Sequence, residues 1–122
     1  MSLDLDLYHE ASGFSAEFNI THNLTDMAAA AGLTDMADAA GLYQPLWRGL
    51  IVEGDTTRQV TCARDLIGPI LDGLRAMFAD PDRFRKLNPP NGWGSYDGFV
   101  TWLAKVLAAC CECPQASVSI CR

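Results

Sequence analysis

Basic side chains are almost missing from the first half of this chain. Residues 1–55 hold nine carboxylates and one arginine, Arg48, whereas residues 56–122 hold six carboxylates and eight basic groups. The two halves therefore carry −8 and +2, for a net charge of −6. An acidic half of this size repels phosphates, so duplex nucleic acid is not an expected partner. A small basic patch remains at Arg83, Arg85 and Lys86, and it reads as a solvated helix face.

Long apolar runs are also lacking. No stretch approaches the roughly 20 residues that cross a bilayer, so no membrane partner is expected. Met1-Ser2-Leu3-Asp4-Leu5-Asp6 has acids where a secretion signal has bases, which points to the cytoplasm. Histidine is scarce. His22 has no serine or cysteine beside it in a recognised motif, and no catalytic residue emerges from spacing.

Five cysteines are present, an odd number, and a reduced state is expected. Cys110-x-x-Cys113 invites a zinc or redox reading, but a full zinc site needs two more ligands, with only Cys121 and His9 available. The pair also falls at a helix C-terminus, where the dipole raises thiol pKa values. The expectation is no metal, no cofactor and no role assigned to Cys110, Cys111 and Cys113.

What is there suits one domain spanning 1–122, with 49% hydrophobic residues and room for one core. Leu3, Leu5 and Leu7 alternate with Asp4, Asp6 and Tyr8, and Phe14, Ala16, Phe18 and Ile20 resume the alternation after Gly13. This period predicts a hairpin, or one long strand with a bulge. Val118 and Ile120 alternate with Ser117 and Ser119 near the other end. The fold class is α+β: a small antiparallel sheet of N- and C-terminal strands packed against three to four helices.

Thr21 or Asn23 suits the N-cap of a first helix. Thr57 or Thr61 suits the cap of a second, whose stripe is Leu66, Ile67, Ile70, Leu71, Leu74, Met77 and Phe78. Gly68-Pro69 inside that stripe predicts a kink or a fresh start. Asp80-Pro81-Asp82 ends it and caps a short helix through Leu87. Ser95 caps a last helix to about Cys111, with Phe99, Val100, Leu103, Val106, Leu107 and Cys110 buried. Tyr43 to Arg48 reads as a turn carrying two aromatics and belonging to the core.

A nine-residue unit, Leu24 to Gly32, is repeated at once as Leu33 to Gly41 with one change, Ala29 against Asp38. Nine residues rotate a helix by about 180°, so the two apolar stripes would face opposite ways. The segment is expected to break near Gly32, or to bury its second stripe in a homo-oligomer.

Two stretches stand out for polar and aromatic density: Asn19-Ile20-Thr21-His22-Asn23 and Asn88-Pro89-Pro90-Asn91-Gly92-Trp93-Gly94-Ser95-Tyr96. Each precedes a helix N-terminus, which offers free N–H groups. If they meet, Asn19, Thr21, His22, Asn23, Asn88, Asn91, Trp93 and Tyr96 form a ligand-binding cleft, with Trp47 a further candidate contact. The competing reading is that such asparagines hold their own backbone and such tryptophans pack.

These stretches, with Met27-Ala28, Ala40-Gly41-Leu42-Tyr43, Leu46-Trp47-Arg48, Ala63-Arg64-Asp65-Leu66-Ile67, Asp80 to Phe84, Gly98-Phe99 and Val118 to Arg122, resemble a family of small proteins of tailed phages and prophages. The duplicated unit and the Cys-Cys-Glu-Cys run depart from that pattern. The resemblance implies a phage-derived intracellular protein and no particular mechanism. The expected function is a non-enzymatic accessory protein that binds a host protein or a small ligand, plausibly in counter-defence. The alternative is a nucleotide-like ligand, sequestered or turned over at the two polar turns.

Overall fold

The computed structural model describes residues 2–30, 42–53 and 55–121. The alternating start of the chain forms a hairpin, β1 (Ser2–His9) and β2 (Phe14–Thr21), with Leu3 opposite Ile20 and Leu5 opposite Phe18. Gly13 turns it at φ +73°, a conformation a side chain disfavours. β5 (Ser117–Cys121) pairs with the other edge of β1, giving the order β2-β1-β5, antiparallel throughout. The first strand is thus the middle one.

Alternation fixes the faces. Leu3, Leu5 and Leu7 are at most 1% exposed, while Asp4 and Tyr8 point to solvent. The apolar face meets α4 (Tyr96–Glu112), whose Phe99, Leu103, Val106 and Cys110 are fully buried, as their spacing implies. Phe18 meets Trp102 edge-on at 6.4 Å, and Trp102 stacks on Phe99 at 6.2 Å. Each such side chain removed from water contributes about 1.5–3 kcal/mol. Ser95 caps α4, its Oγ accepting the Gly98 N–H at 3.1 Å.

α2 (Arg64–Ala79) runs through Gly68-Pro69 without the expected break. Pro69 costs one backbone bond, but Leu66 and Ile70 on either side are fully buried and hold the helix in one piece. Its start also differs from expectation. Thr57 lies in β4 (Thr56–Gln59), the partner of β3 (Leu50–Glu53) in a second, two-stranded sheet. Thr61 is not a cap either: its N–H and hydroxyl both reach the Asp65 carboxylate. A side-chain cap is not needed there, because Ala63 N–H and Arg64 N–H donate to the carbonyls of Ala116 and Pro114.

After β2 come a 3₁₀ turn (His22–Leu24) and α1 (Thr25–Ala30), with Leu24, Met27 and Ala28 buried. Thr21 opens this segment, its hydroxyl accepting the Asn23 N–H at 3.2 Å. The chain returns at Leu42, whose N–H donates to the Ala28 carbonyl at 2.9 Å. Tyr43–Arg48 is a π-helical turn closed by Gly49 at φ +66°. Leu42 packs so tightly on α2 that a Cβ at Gly73 would stand 2.6 Å from its Cδ1. The expectation of a break near Gly32, or of a stripe buried in an oligomer, concerns residues 31–41, which lie outside the described residues. α3 (Pro81–Arg85) has Pro81 in its first turn and Asp80 as its cap, accepting the Arg83 N–H. No helix among the described residues is long and apolar enough to cross a membrane.

Candidate ligand-binding groove

The two polar turns adjoin. Gly94, at φ +109°, lies so close to the first turn that a Cβ there would stand 2.9 Å from Thr21 Cγ2 and 3.0 Å from Leu24 Cγ. Only glycine satisfies both the backbone angle and the approach. Together the turns line an open groove formed by Ser2, Asn19, Thr21, Asn23, Asn91 and Trp93. Two other surface depressions, one around His9 and Glu112 and one around Asp4, Asp6 and Glu17, have nearly the same volume, about 510–520 Å³ like the groove itself. Size does not choose between them. The aromatic does: Trp93 is 68% exposed, the most exposed of the large apolar side chains described.

The hydrogen bonds fix what each side chain still offers. Asn91 accepts the Trp93 N–H through Oδ1 at 2.9 Å, holding the turn and leaving its NH₂ free. Asn19 donates through Nδ2 to Ser2 Oγ at 2.9 Å and to the Asp4 carboxylate, leaving its Oδ1 free. Thr21 accepts the Asn23 N–H, so its own hydroxyl proton is free to donate. These assignments do not depend on how amide O and N are labelled, because an N–H needs an acceptor and a carboxylate needs a donor.

The remaining sequence candidates sit elsewhere. Trp47 is 2% exposed, stacked with Tyr43 at 6.4 Å and edge-on to Phe99 at 6.1 Å, and belongs to the core. Tyr96 is buried, its hydroxyl spent on the Met77 carbonyl at 2.9 Å near the end of α2. Asn88 accepts the Tyr96 N–H at 2.8 Å, fixing the entry to α4. His22 begins the 3₁₀ turn, and its side chain lies outside the described part of the structure. Ser2 was missed by sequence reasoning. Its signal was its register: Ser2 pairs with Thr21 across the hairpin.

All five cysteines are free. Burial first, then the neighbouring Cys111, pushes the Cys110 thiol up to about 12, so it stays protonated and unreactive. Among the described residues no group of three His, Cys, Asp or Glu side chains is placed to hold a metal ion. Compared with protein-family models, with curated proteins and with solved structures, the chain matches none.

Proposed function

We propose that this chain is a non-enzymatic binding protein whose site is the groove between residues 19–23 and 91–93. The observation that carries this reading is the exposed indole of Trp93, whose backbone N–H is held by Asn91, beside four further polar side chains from a distant part of the chain. A large exposed aromatic in a polar groove costs solvation unless something covers it. The lining offers amides, hydroxyls and an indole, which orient a ligand but exchange no protons near neutral pH. The resemblance to phage and prophage proteins supports an accessory role inside a host cell, with a host protein or small ligand as the bound species and counter-defence as the use.

A nucleotide-like ligand is the second reading. An open indole can stack on a base. Against it, none of the described residues that line the groove is basic and able to meet a phosphate.

Trp93 itself reports the outcome. Trp47 is buried and Trp102 is half-buried, so red-shifted tryptophan emission belongs to Trp93. Titration with a panel of nucleosides, nucleotides, saccharides and peptides should blue-shift or quench that emission for one class, and Trp93→Ala should abolish binding. A ligand at 100 times its Kd adds about 2.7 kcal/mol of stability, readable as a thermal shift. Turnover of a nucleotide that is lost in His22→Ala would replace this reading with an enzymatic one.

A further inference from the structure

We propose that the ligand of this groove is a neutral saccharide ring, stacked on Trp93 and held through its hydroxyls by Asn19, Thr21 and Asn91. The inference rests on the groove being the binding site, and it follows from the polarity of the atoms left over. On one side Asn19 presents an acceptor, Oδ1, because both hydrogens of its NH₂ are taken by Ser2 and Asp4. On the other side Asn91 presents its NH₂ as a donor, because Oδ1 is the atom that accepts the Trp93 N–H. Thr21 adds a donor, and Asn23 has a carboxamide with no hydrogen-bond partner among the described residues. A hydroxyl group both donates and accepts, so adjacent hydroxyls on one ring satisfy an acceptor and a donor at once.

Charge narrows the class further. Among the described residues the groove lining is uncharged, and the Asp4 carboxylate is hydrogen-bonded to Asn19. A phosphate, sulfate or uronic acid would meet no cation among those residues and would be repelled by that carboxylate. The indole supplies a flat apolar platform on one side only. None of the ring pairs among the described residues includes Trp93, and no guanidinium lies over it. A single platform in a shallow, open groove suits a ring that presents one C–H face to it and hydroxyls around its edge.

The test uses the full chain and the indole N–H resonance of Trp93, titrated with methyl glucoside, methyl mannoside, methyl galactoside and N-acetylglucosamine. Glucuronate and adenosine serve as contrasting probes. At least one neutral saccharide should shift that resonance saturably, and glucuronate should not. Asn91→Asp is the decisive variant. It keeps the oxygen that accepts the Trp93 N–H, so the turn survives, but it exchanges the free NH₂ for a second, charged acceptor. Saccharide affinity should then fall at least tenfold, while Asn91→Gln, a longer carboxamide, should lose less. Unchanged saccharide binding by Asn91→Asp overturns the proposal. So does a response of Trp93 to adenosine alone, which leaves the groove as the site but changes its ligand. Silence from every probe overturns the saccharide, while the groove as the site stands or falls with the wider emission titration that includes peptides.

Discussion

Gly94 and Thr21, 73 residues apart in the chain, approach so closely that a methyl group on the glycine would sit 2.9 Å from the threonine Cγ2. This contact welds the turn before α4 to the turn after β2, and the groove exists because of it. Gly94→Ala would add a side chain at φ +109° and drive it into Thr21 and Leu24. The expected cost is about 2–4 kcal/mol, strain and overpacking together. Urea unfolding should show a lower midpoint with an unchanged slope. A stability loss below about 0.5 kcal/mol would mean that the two turns separate freely.

Asp65 should make stability pH-dependent. Burial alone pushes its carboxyl up, but the Thr61 N–H, the Arg58 guanidinium at 3.0 Å and the Cys62 N–H outweigh burial and hold it below 3.8. A carboxyl lowered in the folded state contributes stability that is present above its unfolded pKa and is lost as pH falls through the folded value. Asp65→Asn should therefore cost about 1–2 kcal/mol at pH 7. The gap between variant and wild type should narrow as pH falls below about 4. A constant gap across that range would show that Asp65 acts through shape and not charge.

Asp6 lies directly across from Glu17 on the outer face of the sheet, and Asp4 is two residues along β1. Like charges opposed in this way destabilise a sheet. The four ion pairs among the described residues join Arg58, Arg75 and Arg85 to Asp65, Asp72, Asp82 and Asp97, all remote in sequence from this face. Glu17→Gln should raise stability by roughly 0.5 kcal/mol in low salt, and the gain should shrink as salt screens the pair. Chemical denaturation at two ionic strengths measures both effects.

The sheet and α4 were legible because each carries an unmixed period. Leu3, Leu5 and Leu7 alternate, and Phe99, Leu103, Val106 and Cys110 return every three or four residues. β4 was not legible, since Thr56 to Gln59 is polar on both faces and is exposed throughout. The start of α2 misled for a related reason: its free N–H groups are met by Pro114 and Ala116, carbonyls that no local pattern announces. Within the site, the turns drew attention through their asparagines and rings, yet sequence alone cannot separate Trp93 at the surface from Trp47 in the core. That difference lies in the long-range contacts of Tyr43, Trp47 and Phe99.

The duplicated unit offers a test of chain economy. Ala28 O accepts the Leu42 N–H, and Leu24, Met27 and Ala28 from the first copy are buried. Deleting Leu33 to Gly41 would make Leu42 the fifth residue after Ala28, with Gly32 just before it. That is the spacing and the residue of a glycine-ended helix in which the last N–H reaches back five positions. The same bond can therefore form without the second copy. The shortened protein should unfold cooperatively, and its stability should be equal to the parent's or higher by about 1 kcal/mol because fewer residues separate Ala28 from Leu42. A chain that no longer folds would show the second copy to be indispensable.

The central place of β1 bears on how the molecule is made. One neighbour, β2, emerges from the ribosome directly after it, but the other reaches it only when Cys121 is available to pair with Asp4. Until then the Leu5 and Leu7 edge has half its backbone partners, and the carbonyls of Pro114 and Ala116 that anchor α2 do not yet exist. Pairing between such distant segments is slow because the intervening chain must be ordered first. The nascent hairpin thus stays an open template until residues 117–121 have been made, and a chain stalled short of β5 is the species most exposed to adding a strand from another molecule.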